Sequence, residues 1–167
     1  MLKMDNNEYE IIKEYTNKNT DFFTLNNINN YAKVVHIVDG DTINIVIKLY
    51  DNYCKLKLRL NNIDTCETRG NKNEETRNKG ILAKNRLYNL ITSKDNYNDM
   101  KSDIENNTYI IWVKLYKYDK YGRVLADIYK YENESKSFSD ILVNEKLAYV
   151  YKGGGKLTDK EQLDILK

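Results

Sequence analysis

Four acidic side chains occur in two short segments of the sequence that predict loops. Asp39 and Asp41 belong to the turn signal Asp39-Gly40-Asp41, and Asp64 and Glu67 come just after a predicted strand. Carboxylates from two loops suit a hard divalent cation, because Ca²⁺ takes several oxygen ligands and tolerates carbonyls and water among them. The alternative is that Asp-Gly-Asp is an ordinary turn, since the ligand series of an EF-hand is absent from the sequence. The residues alone leave both interpretations open.

The chain contains five arginines, so an arginine near the acidic segments is more informative than another lysine. Arg59 ends a predicted strand shortly before Asp64, and Arg123 begins another strand after a tight turn at Gly122. A guanidinium binds phosphate through paired hydrogen bonds and stabilises the charge of a phosphoryl-transfer transition state. Either arginine could instead form a surface ion pair. The pattern therefore indicates phosphate chemistry, with ion pairs as the alternative.

The elements that must position these side chains are mainly strands. Alternating or β-rich runs bounded by turn residues predict five strands, at 33–38, 42–50, 54–60, 109–116 and 123–131. Helical spacing predicts three helices, at 74–93, 138–147 and 158–167, and residues 94–108 predict an exposed polar loop. The predicted packing face of the first of these helices consists of Ile81, Leu82, Leu87, Leu90 and Ile91. This order predicts a mainly β, α+β fold: a five-stranded OB-fold barrel, partly open, with about three α-helices.

Length and charge predict one domain with an appendage. A chain of 167 residues is long enough to bury a core without disulfides or a structural metal. Residues 1–30, with net charge −2, predict an N-terminal extension that is helical at 5–15 or flexible. That extension could dock on a partner, and a frayed terminus explains it equally well. Residues 31–167, with net charge +4, predict the folded domain.

Several classes of protein are excluded by residue type. Cys54, Cys66 and the single His36 leave little material for a disulfide framework, a zinc site or histidine-based catalysis. No apolar stretch approaches the ~20 residues of a membrane span. The early acidic residues of the N-terminus are not typical of a secretory signal. We therefore expect an intracellular, monomeric protein with no membrane partner.

The composition also indicates the kind of genome that encodes the chain. Lys, Asn, Ile and Tyr abound while Pro is absent, which is typical of an AT-rich genome, cellular or viral. This bias raises the lysine content whatever the function. The modest positive charge of the domain suits a polyanion such as nucleic acid, but it is weak evidence by itself.

Four segments in order make the sequence recognisable. They are Val38-Asp39-Gly40-Asp41-Thr42, Arg59-Leu60-Asn61-Asn62-Ile63-Asp64-Thr65-Cys66-Glu67-Thr68, Asp119-Lys120-Tyr121-Gly122-Arg123 and Ala148-Tyr149-Val150-Tyr151. With helix-forming segments between them, they resemble the staphylococcal nuclease (thermonuclease) family over roughly residues 31–165. The resemblance implies a Ca²⁺-dependent phosphodiesterase on an OB-fold barrel. Such an enzyme hydrolyses DNA and RNA to 3′-phosphate products, and we expect single strands to be preferred.

The resemblance also implies a role for each matching residue. Asp41, Asp64 and the main-chain carbonyl of Thr65 would bind Ca²⁺, with Asp39 supporting the site through water. Glu67 would act on the attacking water as general base or orienting group. The residues that would bind the scissile phosphate and stabilise its transition state are Arg59 and Arg123. The remaining substrate contacts would be Lys120 and Tyr121 at the neighbouring phosphate, and Tyr149 and Tyr151 beside the nucleotide.

One position departs from the family pattern, which has proline where this chain has Cys66. Loss of the fixed φ angle loosens the loop that holds Thr65 and Glu67, at a cost of about 1 kcal/mol. The cysteine is either a drifted position or a redox-sensitive one. Two other functions stay open: a catalytically inactive OB-fold module that binds single strands, and an assembly subunit. Because every acid and arginine of the family's set is present, the sequence favours the enzyme.

Overall fold

A computed structural model describes residues 5–70 and 72–167 of the chain. In chain order its elements are α1 (Asn6–Ile12), β1 (Asn29–Ile37), β2 (Thr42–Leu49), β3 (Asn52–Leu60), β4 (Ile63–Asp64), α2 (Glu74–Thr92), α3 (Met100–Asn106), β5 (Ile110–Tyr118), β6 (Val124–Tyr129), α4 (Phe138–Asn144), β7 (Tyr149–Val150) and α5 (Asp159–Ile165). None of the helices in these two ranges is both long enough and apolar enough to span a bilayer.

Five of the strands form a closed barrel in the order β1-β2-β3-β6-β5. The β3–β6 pair is parallel, and the other neighbours are antiparallel. This confirms the five-stranded OB-type barrel and the mainly β, α+β class. The barrel is closed rather than partly open because β1 pairs with β5 from Asn29↔Lys114 to Lys33↔Ile110. The short strands β4 and β7 form a separate antiparallel pair.

The core fills the inside of the barrel because alternate strand residues point inward. Ile43, Ile45 and Ile47 of β2 are buried in this way. From α2, the core receives Leu87, Tyr88 and Ile91. The predicted face of this helix was partly wrong: Ile81 and Leu82 are 42% and 51% exposed, and Gly80 and Ala83 take the buried positions instead.

The segment predicted as an exposed loop contains a helix, which corrects the sequence-based expectation. Within residues 94–108, α3 spans Met100–Asn106 and buries Ile104 in the core. Met100 and Ile104 are the two apolar residues of this helix, and one i, i+4 pair in a polar segment is too short a pattern to predict it. With α1 and α3, the described residues contain five helices rather than about three.

The N-terminal region differs from the barrel in burial. Every residue of α1 is exposed, and its start is capped by Asp5, whose side chain accepts a hydrogen bond from the main-chain N–H of Glu8. Farther along, Leu25 is 1% exposed and belongs to the core cluster. Residues 1–4 lie outside the described residues, and the boundary between extension and domain at residue 30 stays a prediction.

Candidate functional site

A single arginine links two buried carboxylates at one end of the barrel. The β2–β3 register pairs Thr42 with Arg59, so the preceding residue, Asp41, lies beside the end of β3. The chain turns at Asn62, whose φ angle of 59° is left-handed, and enters β4 at Ile63. Arg59 Nη1 lies 2.7 Å from Asp41 Oδ2, and Arg59 Nη2 lies 2.6 Å from Asp64 Oδ1. Strand pairing therefore brings Asp41 of the β1–β2 turn and Asp64 of β4 onto one guanidinium.

Further donors hold both carboxylates in place. The β4–β7 pairing sets Tyr149 opposite Asp64, and the Tyr149 hydroxyl donates to Asp64 Oδ2 at 2.7 Å. Thr42 donates its hydroxyl to Asp41 Oδ1 at 2.8 Å, and the main-chain N–H of Thr65 reaches Asp41 Oδ2 at 3.3 Å. These contacts leave the carboxylates little rotational freedom.

The charge of this cluster is not balanced. The side chains of Asp41, Arg59 and Asp64 are 3%, 11% and 11% exposed, and one guanidinium faces two carboxyl groups. Burial raises the pKa of Asp41 to about 7, although Arg59 opposes the shift. Burial would also raise the pKa of Asp64, but hydrogen bonds from Tyr149 and Arg59 outweigh it and hold that pKa below its usual value. An additional cation would relieve this imbalance.

Asp39 shapes the turn that presents Asp41. Its carboxylate accepts the main-chain N–H of Asp41 at 3.2 Å. From α2, Lys84 Nζ donates to the carbonyl of Val38 at 3.0 Å, which ties the turn to the helix. Asp39 is partly exposed beside the buried pair, a position compatible with an indirect contact to a bound ion.

Glu67 lies outside the buried cluster. Its side chain is 53% exposed and forms an ion pair with Lys156, which comes from the loop after β7. The pairing leaves the carboxylate accessible to water.

Arg123 and its neighbours lie on the turn between β5 and β6. Arg123 Nε lies 2.7 Å from Asp119 Oδ2, and Asp119 Oδ1 accepts the main-chain N–H groups of Tyr121 and Arg123. The cationic groups of Lys120 and Arg123 lie 5.0 Å and 5.4 Å from the Tyr121 ring centroid. Because β6 runs parallel to β3 with Leu125 opposite Arg59, this turn leads into the strand beside Arg59.

The two C-terminal tyrosines have different environments. Tyr149 is buried, with Cys66 and Leu166, in a small apolar cluster. Tyr151 is half-buried, and its hydroxyl donates to the Gly154 carbonyl at 2.7 Å. The Tyr149 ring therefore has no exposed face for stacking, and its hydroxyl orients Asp64.

Two glycines allow α2 to approach the site: Gly40, predicted as part of a turn, and Gly80, which the sequence analysis did not single out. A Cβ at Gly40 would lie 2.7 Å from the Cβ of Ala83 and 3.0 Å from the hydroxyl of Thr65. A Cβ at Gly80 would collide with the main-chain carbonyl of Cys66. A lone glycine inside a helical pattern is the available sequence signal for such close approach. The Glu67–Lys156 pair had no comparable signal, because 89 residues separate its members.

Cys66 is unlike a redox-active cysteine. It is 1% exposed, and burial raises the pKa of its thiol to about 11. Since the thiolate is the reactive form, this thiol is inert near neutral pH. The structure thus favours the interpretation of Cys66 as a packed, drifted position.

The donor set at the site fits a hard cation. Within residues 5–70 and 72–167, no three His, Cys, Asp or Glu side chains are grouped as a ready-made metal cluster. The two buried carboxylates of Asp41 and Asp64 supply oxygen ligands with excess negative charge, and main-chain carbonyls and water complete such sites for Ca²⁺. Zinc prefers nitrogen and sulfur ligands, which this cluster lacks.

The structure is an OB-type barrel with a buried carboxylate–arginine cluster at one end. The family model described as staphylococcal nuclease homologue matches residues 57–167, and the chain belongs to this family. The matched segment contains Arg59, Asp64, Thr65, Glu67 and Arg123 and begins after Asp41. No curated protein matches the chain significantly. Family membership supports a nuclease-like or nucleic-acid-binding fold.

Proposed function

We propose that the protein is a Ca²⁺-dependent phosphodiesterase that cleaves DNA and RNA, preferably single-stranded, to 3′-phosphate products. The observation that supports this most strongly is the buried Asp41–Arg59–Asp64 arrangement, in which two carboxylates share one guanidinium. A protein that needed this cluster only for stability would gain from balanced charge. The excess negative charge of the buried carboxylates suits a cation. The guanidinium beside them, together with that cation, suits a phosphate of a polyanion.

The metal ligands in this proposal are Asp41, Asp64 and the main-chain carbonyl of Thr65, with Asp39 acting through water. Tyr149 and Thr42 orient the two carboxylates through the hydrogen bonds already described. When bound there, Ca²⁺ supplies electrostatic stabilisation of the charge on the phosphate.

Arg59 and Arg123 bind the scissile phosphate and stabilise its transition state. Both are held by carboxylates before substrate arrives, so their charged heads are already oriented. A guanidinium has five N–H donors; Arg59 also donates to the Ile63 carbonyl, and the donors left over can serve the phosphate oxygens.

Glu67 orients the attacking water or accepts its proton. Its carboxylate is exposed, so water reaches it directly. A general base must first lie within hydrogen-bonding distance of the water, and its pKa is a secondary requirement.

The substrate strand contacts the β5–β6 turn and the C-terminal loop. Lys120 offers a phosphate contact, and the 72% exposed ring of Tyr121 offers a stacking surface. Tyr151 borders the same site with a half-exposed ring. For the buried Tyr149 we propose the positioning of Asp64 rather than base stacking.

The test is cleavage of single-stranded DNA by the wild type and by Glu67→Gln, with Ca²⁺ and with a chelator. We expect Ca²⁺-dependent cutting that the variant loses by orders of magnitude. Glu132→Gln, at an exposed glutamate after β6, is the matched control and should cut like the wild type.

Cutting that persists in Glu67→Gln would contradict the role of this residue. A wild type that binds the strand but leaves it uncut in Ca²⁺, Mg²⁺ and Mn²⁺ would contradict the enzyme. That result would support the alternative, an OB-fold module that binds single strands.

A further inference from the structure

The loop after β7 brings a lysine to the rim of the candidate site. Gly153 and Gly154 have φ angles of 96° and 118°, which side chains with a Cβ rarely adopt. The loop is fixed at both ends: the Tyr151 hydroxyl bonds to the Gly154 carbonyl, and Leu157 packs against the cluster that contains Tyr149. Lys156 lies between these two anchors.

The charge of Lys156 acts on three carboxylates. Its ammonium forms an ion pair with Glu67 and interacts at longer range with Asp64 and Asp41. It is therefore a cation at the edge of the cluster, on the side of the residue that acts on water.

The Lys156–Glu67 pair is poorly protected from solvent. The side chains of Lys156 and Glu67 are 41% and 53% exposed. Exposed ion pairs contribute little to stability, so another anion, such as a phosphate, can replace Glu67 as the partner of Lys156. A lysine ammonium is also a strong point-charge ligand for phosphate.

We propose that Lys156 is a phosphate-binding residue that leaves Glu67 for a phosphate of the bound single strand. This inference rests on the proposed function, because it assigns one more phosphate subsite to the same site. The exchange frees the Glu67 carboxylate for water when substrate is present. Lys156 thus contributes to substrate binding and does not position Glu67 in the complex.

The test separates binding from cleavage. Fluorescence anisotropy of a labelled oligothymidylate, in chelator and over a range of salt concentrations, is measured for the wild type, Lys156→Met and Lys156→Arg. The control is Lys48→Met, which removes the same charge from an exposed lysine of β2, six residues from Thr42 and thus about 20 Å along the strand.

We expect Lys156→Met to bind several-fold more weakly and to lower the slope of log Kd against log salt by about 0.7, as for one phosphate contact on a single strand. Lys156→Arg should restore both values, and Lys48→Met should match the wild type. In cleavage assays with Ca²⁺, Lys156→Met should raise KM without lowering kcat.

Unchanged affinity and salt slope in Lys156→Met would overturn the inference. So would an equal loss in Lys48→Met, or a fall in kcat at constant KM, which would indicate that Lys156 positions Glu67. A wild type that binds the oligonucleotide but does not cut it contradicts the nuclease proposal. The role of Lys156 is then decided by the affinities and salt slopes of the wild type and Lys156→Met. A wild type that does not bind the oligonucleotide in chelator overturns the inference on Lys156, and one that also fails to cut it in Ca²⁺ overturns the nuclease proposal as well.

Discussion

Two clusters of carboxylates, tyrosines and a cation form in this protein, and they differ in charge balance. One centres on Asp103 of α3 and joins α2 to Tyr109, the residue before β5. The other joins β2, β3, β4 and β7 around Arg59. Both use tyrosine hydroxyls as donors to a carboxylate, and they differ in burial as well as in charge.

The Asp103 cluster is self-sufficient. Tyr88 and Tyr109 each donate to Asp103 Oδ2 at 2.7 Å, while Lys94 and Asn107 donate to Oδ1 at 2.6 Å and 2.9 Å. The hydrogen bond from Lys94 is the largest cause that lowers the pKa of Asp103, to about 2. One anion faces one cation, and the cluster fastens α3 to the rest of the fold.

The Arg59 cluster is deeper and unbalanced. Its single guanidinium serves Asp41 and Asp64, and the pKa of Asp41 is raised rather than lowered. Strong pKa perturbation by burial and a charge partner in a cleft is one signal of a functional site. The comparison shows that the carboxylate of the structural cluster, Asp103, has its own cationic partner. The two carboxyl groups of the candidate site, Asp41 and Asp64, share one.

The largest expected effect comes from removing the shared cation. Arg59→Met leaves two buried carboxylates unpaired and should lower the free energy of unfolding by about 3 to 5 kcal/mol. Cleavage should also be lost. Urea denaturation measures the first effect, and Arg59→Met combined with Asp64→Asn should recover part of the stability. A single variant as stable as the wild type would contradict the charge imbalance.

A smaller effect is expected where α2 touches the site. A methyl group at Gly80 collides with the Cys66 carbonyl, a main-chain atom that cannot rotate away. This clash should exceed the roughly 1 kcal/mol by which alanine normally favours a helix. Gly80→Ala should therefore destabilise the protein by about 1 to 3 kcal/mol and weaken Ca²⁺ binding. Asn78→Ala, at an exposed position of α2, is the control; a more stable Gly80→Ala protein would refute the close contact.

Removing charge from the balanced cluster should affect stability alone. Asp103→Asn should cost about 1.5 to 3 kcal/mol at neutral pH, the range for hydrogen bonds to a charged group. The pKa of Asp103 is lower in the folded protein than in the unfolded chain. The stabilisation is therefore present above the ordinary pKa of 3.8 and disappears as pH falls through about 2. Unfolding curves should show the difference from wild type shrinking over that window. Altered DNA cleavage by Asp103→Asn would contradict the claim that this cluster affects stability alone.

The smallest effect concerns the two thiols. Cys66 is buried beside the Arg59 cluster, and Cys54 is partly exposed on β3. A thiol reagent at neutral pH should modify one cysteine in the native protein and two in denaturant. Native modification of Cys66, identified by peptide mass, would show that the loop near Glu67 opens more readily than its packing suggests.

Local signals were sufficient for the barrel but not for every contact of the site. The strict alternation at 54–60 predicted β3, and the turn signal at Gly40 predicted the loop that presents Asp41. The resemblance of short motifs placed Arg59, Asp64 and Tyr149, which the structure joins by hydrogen bonds. Their roles stay proposals.

What the sequence did not predict depends on long-range packing. The helix α3 has one buried apolar residue, Ile104, and its anchoring carboxylate finds donors on α2 and just before β5. The packed face of α2 includes Gly80 because a loop carbonyl approaches there, and hydrophobic periodicity does not report such an approach. The contact of Lys156 with Glu67 likewise depends on tertiary structure alone.

The central claim is that the Arg59 cluster lacks one cation, and a calorimetric titration with Ca²⁺ tests it most directly. We predict one Ca²⁺ per chain, bound by the wild type and by Asp103→Asn but not by Asp64→Asn. Because Ca²⁺ competes with the proton on Asp41, whose pKa is raised to about 7, the apparent affinity should be higher above that pH than below it. Absence of binding, or binding that survives in Asp64→Asn, would contradict the claim.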